Sequence, residues 1–389
     1  MKILILSNQS RSMANFWSVL IRHMRAAGHE VTCCAPPGDA AAEAALHALG
    51  AAFLPYPLDR KGLDPLRDAG SFWALVRLFR VQRPDLLFAT TIKPVIYGCL
   101  AARVAGVPRV YATITGLGYA FEADTLFKKC VNRLGVFLYR HALRRANGVF
   151  FQNQDDIRVF REQGILGPDA RVLTARGTGV DTARFAPEPF PPLPPAGPVV
   201  FLLVGRLLEA KGIAEYAEAG RLLRAMGAGC RLQLLGPPET GLGGVDLAQV
   251  RRWEAEGLLE YLGETRDVRP FLAACHVLVL PSWREGTPTS VMEAMSMGRP
   301  AVVTDVPGCR EVVRNGVNGL LTPARDPEAL AGAMAHFVRE PGDIARMGAA
   351  GRKLALEEFD AEAVAARILR DMGVPGAAED ILEEKGERP

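Results

Sequence analysis

The chain opens on KILILS, a short apolar run, and continues into MANFWSVLIRHMRAAGH, where apolar positions return every three or four residues. The two patterns then alternate. EVTCCA is a second short run, and DAAAEAALHALGA a second helical stretch that ends at Gly50. PDLLFAT, PRVYATIT and GVFFQN are further strand candidates with helical stretches between them. This alternation predicts βαβ units and a parallel sheet. The strand candidates are apolar throughout rather than at every second position, as expected of strands covered on both faces. At FAPEPFPPLPPAGP, residues 185–198, the pattern breaks. Seven prolines in fourteen residues continue neither a helix nor a central strand, so the run reads as an interdomain linker. VVFLLVGR starts a second series, carried on by CRLQLLG, CHVLVLPS and RPAVVTD. The amphipathic FDAEAVAARILRDMG follows, and the polar AAEDILEEKGERP reads as a fraying tail. The pattern predicts an α/β protein with two doubly wound domains, 1–184 and 199–357, a C-terminal helix over 358–373 and a tail over 374–389. Such sheets bind ligands in the crevice outside the carboxyl ends of their strands.

A length of 389 residues agrees with two domains rather than one. The net charge of +3 conceals a division. Residues 1–190 carry 24 Lys and Arg against 15 Asp and Glu, and residues 191–389 carry 22 against 28. A basic first half suggests an anionic partner, although scattered surface charge gives the same count. The seven cysteines show no CxxC or Cys/His ligand spacing and read as small core residues of a reducing cytosol. MKILILSNQS has too short an apolar run for a signal peptide, and no stretch approaches the ~20 apolar residues of a membrane span.

Two segments of the second half carry candidate chemistry. In VGRLLEAKG, residues 204–212, the chain turns at Gly205 after a strand, and Arg206 and Lys211 follow at the start of a helical stretch. Two fixed cations at a strand's carboxyl end suit a diphosphate, Arg by a forked contact and Lys as a point charge. Such pairs also cap helices or face solvent. In SWREGTPTSVMEAMSMGRP, residues 282–300, two carboxylates, Glu285 and Glu293, flank a turn of Gly, Thr and Pro. TSVMEAMSMG reads as a helix stopped at Gly298, with Thr287 and Thr289 as candidate N-caps. A helix start offers unpaired N–H groups and the positive end of the dipole to a phosphate. Glu293, one turn inside, is placed to accept two hydrogen bonds from a vicinal diol such as a ribose. The two segments together fit a nucleotide.

These motifs resemble the donor half of retaining GT-B glycosyltransferases, family 4 in particular. The likeness rests on Glu-x7-Glu after an apolar strand ending in Pro-Ser, on the following GRPAVVTDVPGCREVVRNGVNGLL, and on VGRLLEAKG at the family's distance. It implies two Rossmann-like domains facing across a crevice, with the final helix crossing back to the first. It also implies roles. Arg206 and Lys211 would neutralise the donor diphosphate, Glu293 would hold the ribose hydroxyls, and Glu285 would contact the donor sugar. Gly286, Thr287, Pro288 and Thr289 would bring backbone to the sugar and phosphates. The base would rest near Gly236 and the segment ETRDV, 264–268, held largely by backbone groups, and Gly205, Arg266 and Val268 would also line the donor site. On this view Arg206, Lys211 and Glu285 are the catalytic set, and the departing diphosphate assists the incoming hydroxyl on the same face of the sugar.

In the first half, SNQSRSMANF, ATTIKPVIYG and ITGLGYAF resemble a narrower group that extends undecaprenyl-diphosphate-linked saccharides, of the type adding N-acetylgalactosamine to a diacetylbacillosamine carrier. That resemblance implies acceptor contacts at Lys93, Thr115, Gly116 and Gly118. There are departures. SNQSRSMANF lacks the glycine-rich loop of many family members, and Thr115 stands where many carry a histidine. His23, His29 and His47 read as surface residues and His276 as core. TLFKKCVNRLGVFLYRHALRRANG, residues 125–148, is a single helical pattern. Lys129, Arg133, Arg140 and Arg144 form a stripe on it, with Phe127, Leu134, Phe137, Leu138 and Tyr139 nearby. A helix of this kind lies on anionic lipid, attracts a lipid diphosphate, or simply solvates a basic side.

No D-x-D occurs, so the usual metal–diphosphate device is missing and no cofactor or essential metal is expected. Nor does any nucleic-acid recognition module accompany the basic half. The reading is a glycosyltransferase moving an N-acetylhexosamine from a UDP-sugar to a polyprenyl-diphosphate-linked saccharide. It would work in the cytoplasm, peripheral to the inner membrane. A nucleotide-sugar 2-epimerase and a non-catalytic nucleotide-sugar-binding subunit are the alternatives.

Overall fold

The computed structural model describes residues 1–376 except 61, 63, 117–125, 194, 240 and 242, and of residues 126–130 the backbone alone. The chain forms two compact units, Met1–Thr178 joined by the segment from Ala361 onward, and Gly179–Asp360.

Among the described residues the first unit holds seven strands: Lys2–Leu6 (β1), Glu30–Ala35 (β2), Ala52–Pro55 (β3), Leu86–Thr90 (β4), Arg109–Ile114 (β5), Gly148–Phe151 (β6) and Val172–Thr174 (β7). They pair in parallel in the order β3-β2-β1-β4-β5-β6-β7. The apolar runs are continuous because both faces are covered. Ile3 and Ile5 face a core with Trp17, Leu20 and Met24, whereas Leu4 and Leu6 face another with Phe79, Val95 and Cys99. The first helical pattern divides at Trp17 into Ser10–Phe16 and Ser18–Ala26. The C-terminal helix Ala361–Asp371 adds Val364, Ile368 and Leu369 to the core of this unit. Its Glu362 pairs with Arg22 and His23. His29 is buried rather than on the surface, and its Nε2 meets the Pro375 carbonyl at 2.9 Å.

The helix expected over 125–148 is Leu126–Leu143. Leu134 and Phe137 are exposed on it, as are Arg133 and Arg140, and Arg144 is exposed just past its end; Tyr139 is buried against Phe160 and leaves the outer face, and the side chains of Phe127 and Lys129 lie outside the described residues. Arg140 donates to the carbonyls of Gly164 and Gln163.

The described strands of the second unit are Val199–Val204 (β8), Cys230–Leu235 (β9), Glu260–Tyr261 (β10), Val277–Leu280 (β11), Ala301–Thr304 (β12) and Gly319–Thr322 (β13). They too are parallel, in the order β10-β9-β8-β11-β12-β13. The direction of strand addition reverses between β8 and β11, the switch point at which ligands gather on such sheets. The proline-rich run 185–198 lies inside this unit. Arg299, 1% exposed, donates to the carbonyls of Glu188 and Pro189 in the run and of Leu272, Ala273 and Met297 beyond it. Its guanidinium also lies 4.5 Å over the Phe190 ring. Five carbonyls satisfy a cation that burial would otherwise make costly. His276 is fully buried; its Nδ1 accepts from the Val200 N–H, so its Nε2–H donates to the Pro191 carbonyl. Burial lowers its pKa and keeps it neutral.

Candidate active site

The site grows from the two strands that flank the reversal in the second unit. β8 runs into Gly205 and Arg206, followed by a short 3₁₀ turn, Glu209–Lys211, and the helix Ile213–Ala225. β11 runs into Pro281 and the turn that ends at the helix Thr289–Ser296. The carboxyl ends of adjacent strands therefore bring together residues about 75 positions apart. Lys211 Nζ lies 2.5 Å from Glu285 Oε1. Arg206 is mostly exposed, and its Nη1 donates to Glu239 Oε2 at 2.8 Å. Both cations expected to meet a diphosphate thus rest on carboxylates in the unliganded protein.

The backbone around them is close-packed. A Cβ at Gly236, after β9, would lie 1.8 Å from the Gly205 carbonyl oxygen, so this crossing admits only glycine. Gly236 donates to Gly263 and accepts from the Tyr261 hydroxyl, which fixes the ends of β9 and β10 relative to β8. Glu285 is held from behind as well: its N–H donates to Pro307, and Gly308 (φ 83) packs where a Cβ would strike the Gly286 carbonyl.

The helix Thr289–Ser296 begins at Pro288, and no side chain caps it. The threonine caps expected from the sequence are absent. Thr289 is the first helical residue, and the start of the helix, following Gly286, Thr287 and Pro288, leaves its first N–H groups without a capping side chain. Glu293, one turn in, is partly buried. Burial pushes its pKa up to about 7, against a downward pull from Arg184 and with a further upward push from Asp267. Among the described residues no group hydrogen-bonds its carboxylate. Asp267 belongs to the segment expected to lie by the base, and Arg269 holds it down at about 2. Arg266 beside it is exposed, and Val268 packs partly into the core at the start of the helix Arg269–Ala274.

In the first unit, Lys93 is not free. Its ammonium donates to the carbonyls of Asp59 and Gly62 at 2.8 and 2.7 Å and to Asp68 Oδ1 at 2.6 Å. Tyr97 donates to the other oxygen of Asp68. Two residues earlier, Thr91 holds φ 71 and ψ 162, a conformation that costs a β-branched residue about 1–3 kcal/mol. Thr115 and Gly116 follow β5 and are partly exposed. Gly118 lies outside the described residues.

Three further groups bear on the site: Glu239 and Trp283 by hydrogen bonds, and Arg184 by its charge. Glu239 and Arg184 carry no local pattern that marks them. Trp283 has one: a large aromatic residue inside an otherwise polar turn.

Two family models match. Residues 13–177 match the one described as Glycosyl transferase 4-like domain, and residues 198–340 the one described as Glycosyl transferases group 1. The chain is 26% identical over 340 residues to the N,N'-diacetylbacillosaminyl-diphospho-undecaprenol alpha-1,3-N-acetylgalactosaminyltransferase of Campylobacter jejuni, covering 85% of this chain and 87% of that one. It is 26% identical over 284 residues to the UDP-Gal:alpha-D-GlcNAc-diphosphoundecaprenol alpha-1,3-galactosyltransferase of Escherichia coli, covering 70% and 71%. Anabaena HepE, solved in complex with UDP-glucose, shares the fold, with a TM-score of 0.77 and 19% identity over 96% of this chain and 99% of that one. Together the two family matches span most of the chain: it is a glycosyltransferase whose first half matches the 4-like domain and whose second half matches group 1, built on the GT-B fold.

Proposed function

We propose that this glycosyltransferase moves a sugar, an N-acetylhexosamine in our reading, from a UDP-sugar to a polyprenyl-diphosphate-linked saccharide with retention of configuration. The observation that carries the donor side is the pairing of Lys211 with Glu285 at the strand reversal, beside Arg206 and an uncapped helix start. A donor diphosphate takes over both cations. Glu285, released from Lys211, is then free to accept from the sugar hydroxyls. Glu293, which has no protein hydrogen-bond partner among the described residues, accepts from the ribose. The acceptor hydroxyl approaches the anomeric carbon on the face from which the diphosphate departs. As the bond to the diphosphate breaks, its electron pair goes to the leaving oxygen, which takes the hydroxyl proton. Arg206, Lys211 and the helix start stabilise the charge that develops there, and this is the main catalytic contribution of the protein.

The acceptor class follows the Campylobacter and Escherichia relatives, both named for acting on undecaprenyl-diphosphate-linked sugars. The UDP donor follows the Escherichia name and the UDP-glucose complex of HepE. Thr115 and Gly116 serve the acceptor side, and Lys93 supports it through the 59–62 segment. No described helix is long and apolar enough to cross a membrane. Contact with anionic lipid at the cytoplasmic face of the inner membrane is assigned to Leu126–Leu143, where Leu134 and Phe137 stand out among arginines.

The test is a screen of UDP-sugars for thermal stabilisation. The best donor is then assayed with a short polyprenyl-diphosphate-linked saccharide, with and without EDTA. Transfer that survives EDTA is expected, because two side-chain cations and a helix start meet the diphosphate. Failure of every UDP-sugar to stabilise the protein would refute the donor assignment.

A further inference from the structure

Between Pro281 and Glu285 the chain bends at Trp283, and Pro281, Trp283 and Glu285 each meet the turn that carries Lys211. A Cβ on Gly212 (φ 70) would lie 2.1 Å from the Pro281 carbonyl oxygen. The Trp283 N–H donates to the Ala210 carbonyl at 2.9 Å. Glu285 takes the Lys211 ammonium. The middle residue of the three does more than touch the turn. Its indole Nε1–H reaches past Lys211 to Glu215 Oε1 at 2.9 Å, on the helix Ile213–Ala225. The other oxygen of Glu215 is buried and has no hydrogen-bond partner among the described residues. Arg325, held at φ 61, lies 4.0 Å over the indole ring and closes its outer side.

We propose that Trp283 and Glu215 are positioning residues for Lys211: the indole bridges the turn and the following helix to the segment bearing Glu285, and so fixes where the ammonium meets the donor diphosphate. This rests on the donor reading above and adds two residues to it. The physical case is the poverty of alternatives. Glu215 depends on one charge-assisted hydrogen bond, since its second oxygen has none among the described residues. Without the indole N–H, a carboxylate with a buried oxygen loses its donor, and the start of the helix shifts to hydrate it. Lys211 lies four residues before Glu215 and moves with that helix start. Trp283 touches neither of the roles assigned to the reacting groups; it acts through Lys211.

The experiment is calorimetric titration of UDP into the full chain, with melting temperatures measured in parallel. Trp283→Phe keeps a ring beneath Arg325 and removes only the N–H. Glu215→Leu removes the acceptor, and Glu215→Gln keeps an acceptor oxygen. Trp283→Phe and Glu215→Leu are each expected to weaken UDP binding about tenfold, and the double variant no more than either alone, because both cut one link. Glu215→Gln is expected to bind within about twofold of wild type. Should Trp283→Phe fold poorly, the two Glu215 variants test the same link from a helix position. The proposal falls if Trp283→Phe and Glu215→Leu lower the melting temperature but leave UDP affinity within twofold. Lys211→Ala separates this from failure of the donor reading. If it too binds UDP like wild type, the reading beneath has failed; if it alone loses UDP, only the bridge has.

Discussion

Glu293 combines two demands that pull against each other. To hold a ribose, its carboxylate must be ionised and free, yet it sits where burial raises its pKa to about 7. The linkage has a definite sign. A carboxyl group whose pKa is higher folded than unfolded binds protons more tightly in the native state. It therefore stabilises the fold most at low pH, and that contribution fades as pH rises from the ordinary glutamate range through about 7. Glu293→Gln should raise the melting temperature of the unliganded protein at pH 8, by about 2–4 °C for each kcal/mol recovered. The same change should weaken the donor KM about tenfold, and in wild type that KM should climb as pH falls from about 8 to 6. A melting temperature unchanged at pH 8 would show that ionised Glu293 is not strained. At this scale the sequence revealed residue types but not partners. Glu285, Glu293, Arg206 and Lys211 are singled out by spacing and family likeness, and the structure brings Lys211 and Glu285 together. That Lys211 rests on Glu285 and Arg206 on Glu239 was not legible, because these contacts join loops from different strands. Arg299 shows the opposite failure. In GRP it looks like one more surface charge, and only the fold shows that it collects five backbone carbonyls.

Elements were legible in proportion to their burial. The nine strands read from apolar runs are β1, β2, β4, β5, β6, β8, β9, β11 and β12, all interior to their sheets. The four that were missed, β3, β7, β10 and β13, are the sheet edges. An edge strand has a neighbour on one side only, is short, and is only partly covered, so it needs no continuous apolar run. The patterns of partial exposure along β3, β7 and β10 show this directly. Trp17 broke a helix that periodicity alone joined. The basic helix Leu126–Leu143 was found with its ends shifted, and one of its aromatics, Tyr139, belongs to the core. What remains outside is Leu134 and Phe137 among arginines, the arrangement by which a helix settles into a lipid headgroup layer. Co-sedimentation with vesicles containing anionic lipid should fall several-fold for Leu134→Ser with Phe137→Ser, and should fall with salt in wild type. Equal binding of the variant and wild type would remove this helix from the membrane contact.

For the molecule as a whole, the division into a basic half and an acidic half follows the expected division of labour. The unit assigned to the lipid-linked, anionic acceptor carries the positive excess. The unit assigned to the donor is net negative, yet it sets two cations, Arg206 and Lys211, at the strand reversal. In the proposed mechanism these two cations stabilise the charge of the departing diphosphate without a metal. The most direct measurement is single-turnover transfer from a UDP-sugar to a polyprenyl-diphosphate-linked saccharide by wild type and Arg206→Ala, both at saturating donor. Charge stabilisation by Arg206 predicts that the variant, folded and still binding acceptor, turns over at least about a hundredfold more slowly. Turnover of Arg206→Ala near the wild-type rate would contradict it.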